Sequence, residues 1–195
     1  TSIEAGCSAP PAATTLPGPV LPGLVNAHSH AFQRAFAGRA ERRDRAHDDF
    51  WSWRERMYAL ALGITPELLR SIATALYREL LAGGYTHVCE FHYLHHAEDG
   101  ARYADALAMS RALADAAATA GIGLTLLPVL YERAGFAQPA LRREQRRFAA
   151  GVADVLAMRD GIRAWHAPLV DAGVAIHSLR AASPAERLCV WRCSA

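Results

Sequence analysis

The chain has 195 residues, of which 52% are hydrophobic and 21% charged, and its net charge is +2 at neutral pH. That is the length of one ordinary domain with enough apolar mass for a sizeable core, so disorder is excluded by composition. The near balance of charge argues against nucleic acid or an anionic membrane as partner.

All 21 basic residues are arginine. The lack of lysine excludes a Schiff-base lysine, a P-loop lysine and a carbamylated-lysine metal bridge. It leaves the arginine fork, which pairs with carboxylates through two bonds. Four cysteines, Cys7, Cys89, Cys189 and Cys193, form no disulfide framework or structural zinc pattern. A reducing cytoplasm is therefore the expected compartment. No leader pattern opens the sequence, and no apolar run approaches the roughly 18 residues of a membrane span. The first residue is Thr1, which reads as a processed chain or a piece of a longer one.

Residues 1–23 are rich in Pro, Gly, Ala and Thr and read as loop or edge strand. Leu24 to His28 is a short extended apolar run, expected to be a buried strand. Residues 33–49 read as a long polar loop or frayed helix, and 49–62 as an amphipathic helix carrying Phe50, Trp53 and Tyr58. Thr65 then caps a helix whose first turn holds Pro66. Leu69, Ile72, Ala73, Leu76 and Leu80 recur along it at three- and four-residue steps, and Gly83-Gly84 ends it. Thr86 to His92 reads as a strand, 99–120 as a helix ended by Gly121, and Ile122 to Leu130 as a strand passing through Pro128. Residues 139–160 read as a helix with a solvated face of Arg142, Arg143, Arg146 and Arg147. Val174 to His177 is the fourth strand. Helices between short apolar strands imply right-handed crossovers and a parallel sheet.

The sharpest chemical feature is His28-Ser29-His30. A period of two puts both imidazoles on one face of a strand, and two neutral imidazoles can bind zinc or a similar divalent ion. Around the second strand, His87, His92, His95 and His96 fall within ten residues. His87 and His92 differ by an odd number and face opposite sides. His92 reads as a barrel-interior or supporting residue rather than part of a second metal site. Glu90, inside an apolar strand, is expected to sit in a structural ion pair, and Cys89 to be a small core residue. His47 and His166 receive no role.

Leu21-Pro22-Gly23-Leu24-Val25-Asn26-Ala27-His28-Ser29-His30 resembles the first-strand signature of the amidohydrolase superfamily. The continuation Ala31-Phe32-Gln33-Arg34-Ala35, the stretch Trp51 to Tyr58, Glu90 to His96, and His177-Ser178-Leu179-Arg180-Ala181 narrow it. Together they resemble the formimidoylglutamate deiminases, iminohydrolases of histidine degradation, over residues 18–184.

The resemblance implies a (β/α)8 barrel with a metal site at the C-terminal strand ends. About four of its eight strand–helix units would be present. It implies a remnant of an N-terminal segment at 1–20, the N-terminal half of the barrel at 21–184, and an atypical tail at 185–195 that reads as a truncated or frameshifted end. By position, His28 and His30 would be metal ligands, with zinc the expected ion. Gln33, Arg54, Tyr93, His177 and Arg180 would contact substrate. The substrate, N-formimidoyl-L-glutamate, carries two carboxylates suited to Arg54 and Arg180. The metal would lower the pKa of a bound water to about 7, giving a hydroxide that attacks the formimino carbon and releases ammonia. The superfamily draws a third His, a catalytic Glu, a further His and a metal-binding Asp from later strands. No catalytic residue is therefore expected in this chain, which is expected to be inactive alone, although the full-length family implies a homodimer. A deaminase acting on guanine or a similar ring, and a non-catalytic fragment, stay open as alternatives.

Overall fold

A computed structural model describes residues 6–14, 16–38 and 50–194. Most of the polar 33–49 segment, His47 included, lies outside the described residues, as do residues 1–5 of the N-terminal stretch.

Five strands form one parallel sheet. They are β1 (Leu24–Ser29), β2 (Tyr85–His92), β3 (Gly123–Leu130), β4 (Val170–Ala172) and β5 (Ala175–Ile176). The order is β1-β2-β3-β4, and β5 also pairs with β3. All pairings are parallel. The sheet does not close on itself among the described residues.

The fourth strand begins earlier than the sequence pattern predicts and is broken in the middle. β4 pairs with Leu124–Leu126 and β5 with Val129–Leu130. Gly173 lies between them, where a Cβ would meet Leu127 Cδ2 at 2.9 Å. A side chain there would have to push the tip of Leu127 aside, so glycine lets this break in the strand sit against β3 without repacking.

Helices α1 (Phe50–Leu62), α2 (Pro66–Ala82), α3 (Ala108–Ala120), α4 (Val152–Arg163) and α5 (Pro184–Ser194) flank the sheet. Thr65 caps α2, its hydroxyl accepting the Leu68 N–H at 3.2 Å. The apolar stripe of α2 behaves as its period predicts: Leu69 and Ala73 are buried, while Ile72, Leu76 and Leu80 pack at the rim of the same core. Each fully buried aliphatic side chain of this kind contributes ~1.5–3 kcal/mol. Helices α2 and α3 cover one face of the sheet, against Val88, Leu124 and Leu126.

Two expected helices are shorter than their patterns. Residues 99–107 turn rather than coil, because the Asp99 and Asp105 carboxylates accept the N–H groups of Ala101 and Leu107. Such short side chains offer the backbone an alternative to the helix ladder. Gly100 adds a left-handed φ of +87°. The 139–160 region splits into a 3-10 turn, Arg143–Phe148, and α4. Between them Ala150 bridges to Tyr131, and Gly151 starts α4 with its N–H on Asp154.

Of the four arginines expected on a solvated face, Arg142 and Arg143 are exposed and Arg146 is half-buried, but Arg147 is not on that face. Arg147 is 0% exposed. Its guanidinium donates to the carbonyls of His96 (3.0 Å), Leu62 (3.0 Å), Ile64 (2.7 Å) and Ala61. The helical period fails here because the chain is a 3-10 turn with three residues per repeat, so position 147 turns inward. The tail residues Pro184–Ser194 form α5, with Val190 buried against Leu130 and Val155. Among the described residues no single helix is long and apolar enough to cross a membrane.

Candidate metal and substrate site

The period of two across His28 and His30 places both rings at the C-terminal end of β1. Their Nε2 atoms lie 2.9 Å apart and the ring planes are nearly perpendicular, at 85°. His30 Nδ1 is 3.1 Å from the carbonyl of Phe91. A carbonyl only accepts, so Nδ1 carries the proton and Nε2 presents its lone pair. A metal-binding imidazole is commonly held through its second nitrogen in this way. Burial, then the neighbouring His28, lowers the His30 pKa to about 4, against the opposing pull of the Phe91 carbonyl. The ring is therefore neutral at ordinary pH, as a metal ligand must be.

Behind the pair, Glu90 fixes the backbone. Its Oε1 accepts the Ala31 N–H at 2.5 Å and its Oε2 accepts the Tyr77 hydroxyl at 3.3 Å. The expected ion pair is absent among the described residues, because neutral donors satisfy the carboxyl instead. Burial, the dominant influence, raises its pKa to about 7, while the hydrogen bonds from Ala31, Ser29 and Tyr77 oppose it.

The two histidines open onto a cavity of about 330 Å³. Gln33 reaches it from the turn after β1, and Arg54 and Tyr58 from α1. Tyr93 comes from beyond β2, Tyr131 from the end of β3, and His177 and Arg180 from the segment after β5. All seven residues singled out in the sequence thus line one space. Strand ends that lie far apart in sequence converge because every strand of the sheet runs the same way.

Inside the cavity, Gln33 Nε2 donates to the Tyr93 hydroxyl at 3.1 Å. The His177 ring stacks against Tyr131 at 4.4 Å and meets Tyr93 edge-on at 5.3 Å. Burial, then Arg180 and His30, lowers the His177 pKa to about 4. Burial pushes the hydroxyls of Tyr93 and Tyr131 well above the ordinary phenol range. The cavity thus offers neutral imidazoles, protonated phenols and two guanidinium side chains, a donor-rich lining suited to an anionic ligand.

Sequence reasoning gave no site role to Tyr131, Tyr58 or Phe91, whose ring packs 5.1 Å from His28. Tyr131 carries a usable signal: a polar aromatic placed directly after an apolar strand, where parallel α/β sheets build their sites.

The histidines of β2 do not form a second metal centre. His87 hydrogen-bonds Thr125 Oγ1 at 2.8 Å, His95 the Val129 carbonyl at 3.1 Å, and His96 the Ala149 carbonyl at 2.8 Å. His92 is not a barrel-interior residue. Strand alternation puts Phe91 beside the metal-site rings and His92 on the opposite, helix-covered face with Val88 and Glu90. There burial, followed by His95 and Arg147, holds its pKa well below the ordinary range.

A larger cavity of about 760 Å³ lies beyond Tyr131, lined by Arg102, Glu132, Asp154 and Glu186 among others. Arg102 and Asp154 pair at 2.9 Å there, and no pair of imidazoles faces into it, so the smaller cavity is the chemical site. Among the described residues no group of three His, Cys, Asp or Glu side chains could hold a metal ion. Two imidazole nitrogens 2.9 Å apart can nevertheless share one ion at bond lengths of about 2.0–2.1 Å. The donor set fits part of a divalent-metal site.

Residues 20–190 match the family model described as the amidohydrolase family. The chain belongs to the amidohydrolase family. It is 49% identical over 176 residues to a formimidoylglutamate deiminase of Pseudomonas aeruginosa, covering 88% of this chain and 38% of that relative. It also matches the crystal structure of an amidohydrolase from Brucella melitensis, with a TM-score of 0.81 and 48% identity, over 86% of this chain and 38% of the other. An atrazine chlorohydrolase from Arthrobacter aurescens TC1, solved with zinc, shares the fold with a TM-score of 0.68 at 22% identity, over 89% of this chain and 38% of that one. The open parallel sheet with its flanking helices is thus a partial amidohydrolase-type α/β barrel. The chain spans 38% of the length of the curated relative.

Proposed function

We propose that this amidohydrolase chain carries the first-strand metal ligands and the substrate cleft of an iminohydrolase. That enzyme converts N-formimidoyl-L-glutamate and water to N-formyl-L-glutamate and ammonia. The observation that carries this reading is the placement of Arg54 and Arg180 around one cavity with the His28–His30 pair. The identity to a relative named formimidoylglutamate deiminase supports it.

In this reading His28 and His30 hold a divalent ion, zinc by preference, through their Nε2 atoms. When bound, the ion supplies Lewis-acid activation of water. The chain's own residues do the rest. Arg54 and Arg180 bind the two carboxylates, and their fixed charge orients the formimino group toward the histidine pair. Gln33 and Tyr93 bind as a hydrogen-bonded unit. His177, neutral and wedged between Tyr93 and Tyr131, presents an imidazole nitrogen to the substrate. A neutral ring such as guanine can accept hydrogen bonds from an arginine but carries no negative charge to match two cations, so the pair of arginines favours a dicarboxylate. The partner is thus a small dicarboxylate, not nucleic acid or a membrane, in a cytoplasmic enzyme that is a homodimer at full length.

With two metal ligands rather than three among the described residues, the chain by itself binds substrate without turning it over. Titration calorimetry with N-formimidoyl-L-glutamate, alongside an ammonia assay with added zinc, tests this. Binding without ammonia release is expected, and Arg180→Ala should weaken binding by about 2–5 kcal/mol. Binding unchanged by Arg180→Ala would refute the dicarboxylate reading. Zinc-dependent ammonia release, lost on His28→Ala, would show that this chain already holds a complete site.

A further inference from the structure

Gln145 lies behind the cavity wall, 1% exposed, in the turn Arg143–Phe148. Its Oε1 accepts the backbone N–H of Arg142 at 3.0 Å. A backbone N–H can only donate, so this contact fixes which end of the amide points which way. The other end, Nε2, reaches the hydroxyls of Tyr58 at 3.1 Å and Tyr131 at 2.9 Å. An amide NH2 group has two protons and accepts nothing, so both phenol oxygens accept from it.

Each phenol therefore keeps its own proton to give away. At most one of the two protons can be spent between the phenols themselves, and at least one is left for something else. Both rings line the cavity that holds Arg54 and Arg180. Burial keeps the Tyr131 hydroxyl protonated, against the weaker opposing pull of the Arg180 charge.

We propose that Gln145 is a positioning residue that sets the hydrogen-bond polarity of this wall. By donating to Tyr58 and Tyr131 it makes the pair present O–H donors to a carboxylate of the ligand. The inference rests on the dicarboxylate reading and deepens it. The two arginines attract any anion, whereas fixed neutral donors also reject a ligand that presents N–H at the same place, because donor then faces donor. The wall would thus distinguish a carboxylate from its amide. Tyr58 and Gln145 lie 87 positions apart, so nothing in the local sequence joins them.

The test is Gln145→Glu, which keeps the shape and can still accept the Arg142 N–H. Its second oxygen, ionised, only accepts, so both phenols must turn their protons to it and away from the cavity. Binding of glutarate and of glutaramide, its neutral diamide, is measured by titration calorimetry on the full chain at pH 8 without metal. The parent chain should prefer glutarate. Gln145→Glu should cut that preference about tenfold or more, as expected for a lost hydrogen bond to a charged group. Tyr131→Phe and Tyr58→Phe, which delete one phenolic proton each and, unlike Gln145→Glu, add no negative charge beside the anion, should lower the same ratio and decide the matter. A packing defect would weaken both ligands together and leave the ratio unmoved. An unmoved ratio therefore overturns this inference while the dicarboxylate reading stands. A parent chain with no preference for glutarate overturns both.

Discussion

Replacing Arg147 with Met keeps most of the side-chain volume and deletes the fork that ties three segments together. The guanidinium donates to Ala61 and Leu62, the last residues of α1, to Ile64 just beyond, and to His96 after β2. The final carbonyls of a helix have no partner within it, so Arg147 acts as the C-terminal cap of α1 from 83 to 86 residues away. A hydrogen bond to a charged group is worth roughly 1.5–3 kcal/mol. Four of them would suggest a larger loss than is expected, because water can reach part of the freed helix end and because Met avoids burying a charge. A net destabilisation of about 3–5 kcal/mol follows, roughly two such bonds' worth once the relieved desolvation of the charge is set against the four carbonyls left without a donor. At a urea slope of about 2 kcal/mol per M, the unfolding midpoint should fall by roughly 1.5–2.5 M. Urea denaturation followed by far-UV circular dichroism is the assay, with Arg147→Lys as control. Lys keeps the charge and loses the fork, and should fall between the two. A midpoint shift for Arg147→Met below about 0.3 M, at unchanged slope, would refute the view that this residue caps α1.

The metal pair and the carboxyl behind it give two further expectations. Either His28→Ala or His30→Ala should lower zinc affinity at least about tenfold in competition with a chromophoric chelator at neutral pH; affinity surviving in the double variant would place the ion elsewhere. Burial raises the folded pKa of Glu90 from 4.5 to about 7, so its stabilising contribution is fully present below the unfolded value and is lost as pH rises through the folded one. Glu90→Gln removes that loss, and the stability difference between variant and parent should move in the variant's favour between about pH 5 and pH 8. Denaturation midpoints measured across that range check the direction, and a flat difference would show that the carboxyl is not buried as described.

What the sequence determined was set by neighbours a few positions away. The period of two put His28 and His30 on one side, Thr65 and Pro66 started α2, and the three- and four-residue steps from Leu69 chose its buried face. The order of apolar strands and helices was enough for a parallel sheet, and the motif residues from Gln33 to Arg180 were legible as one cavity because parallel strands end together. Only the tertiary structure decided the rest. A run of four arginines reads as a solvated face unless one knows that the end of α1 supplies carbonyls to Arg147. Glu90 reads as half of an ion pair unless the Ala31 N–H and the Tyr77 hydroxyl are seen to satisfy it. Tyr58, Tyr131 and Gln145 acquire a common role only where packing brings an α1 side chain onto the turn after β3. The reason is common to all three: burial and hydrogen-bond partnership of a polar group depend on groups that folding brings from tens of residues away, and no local period or cap encodes where those groups arrive.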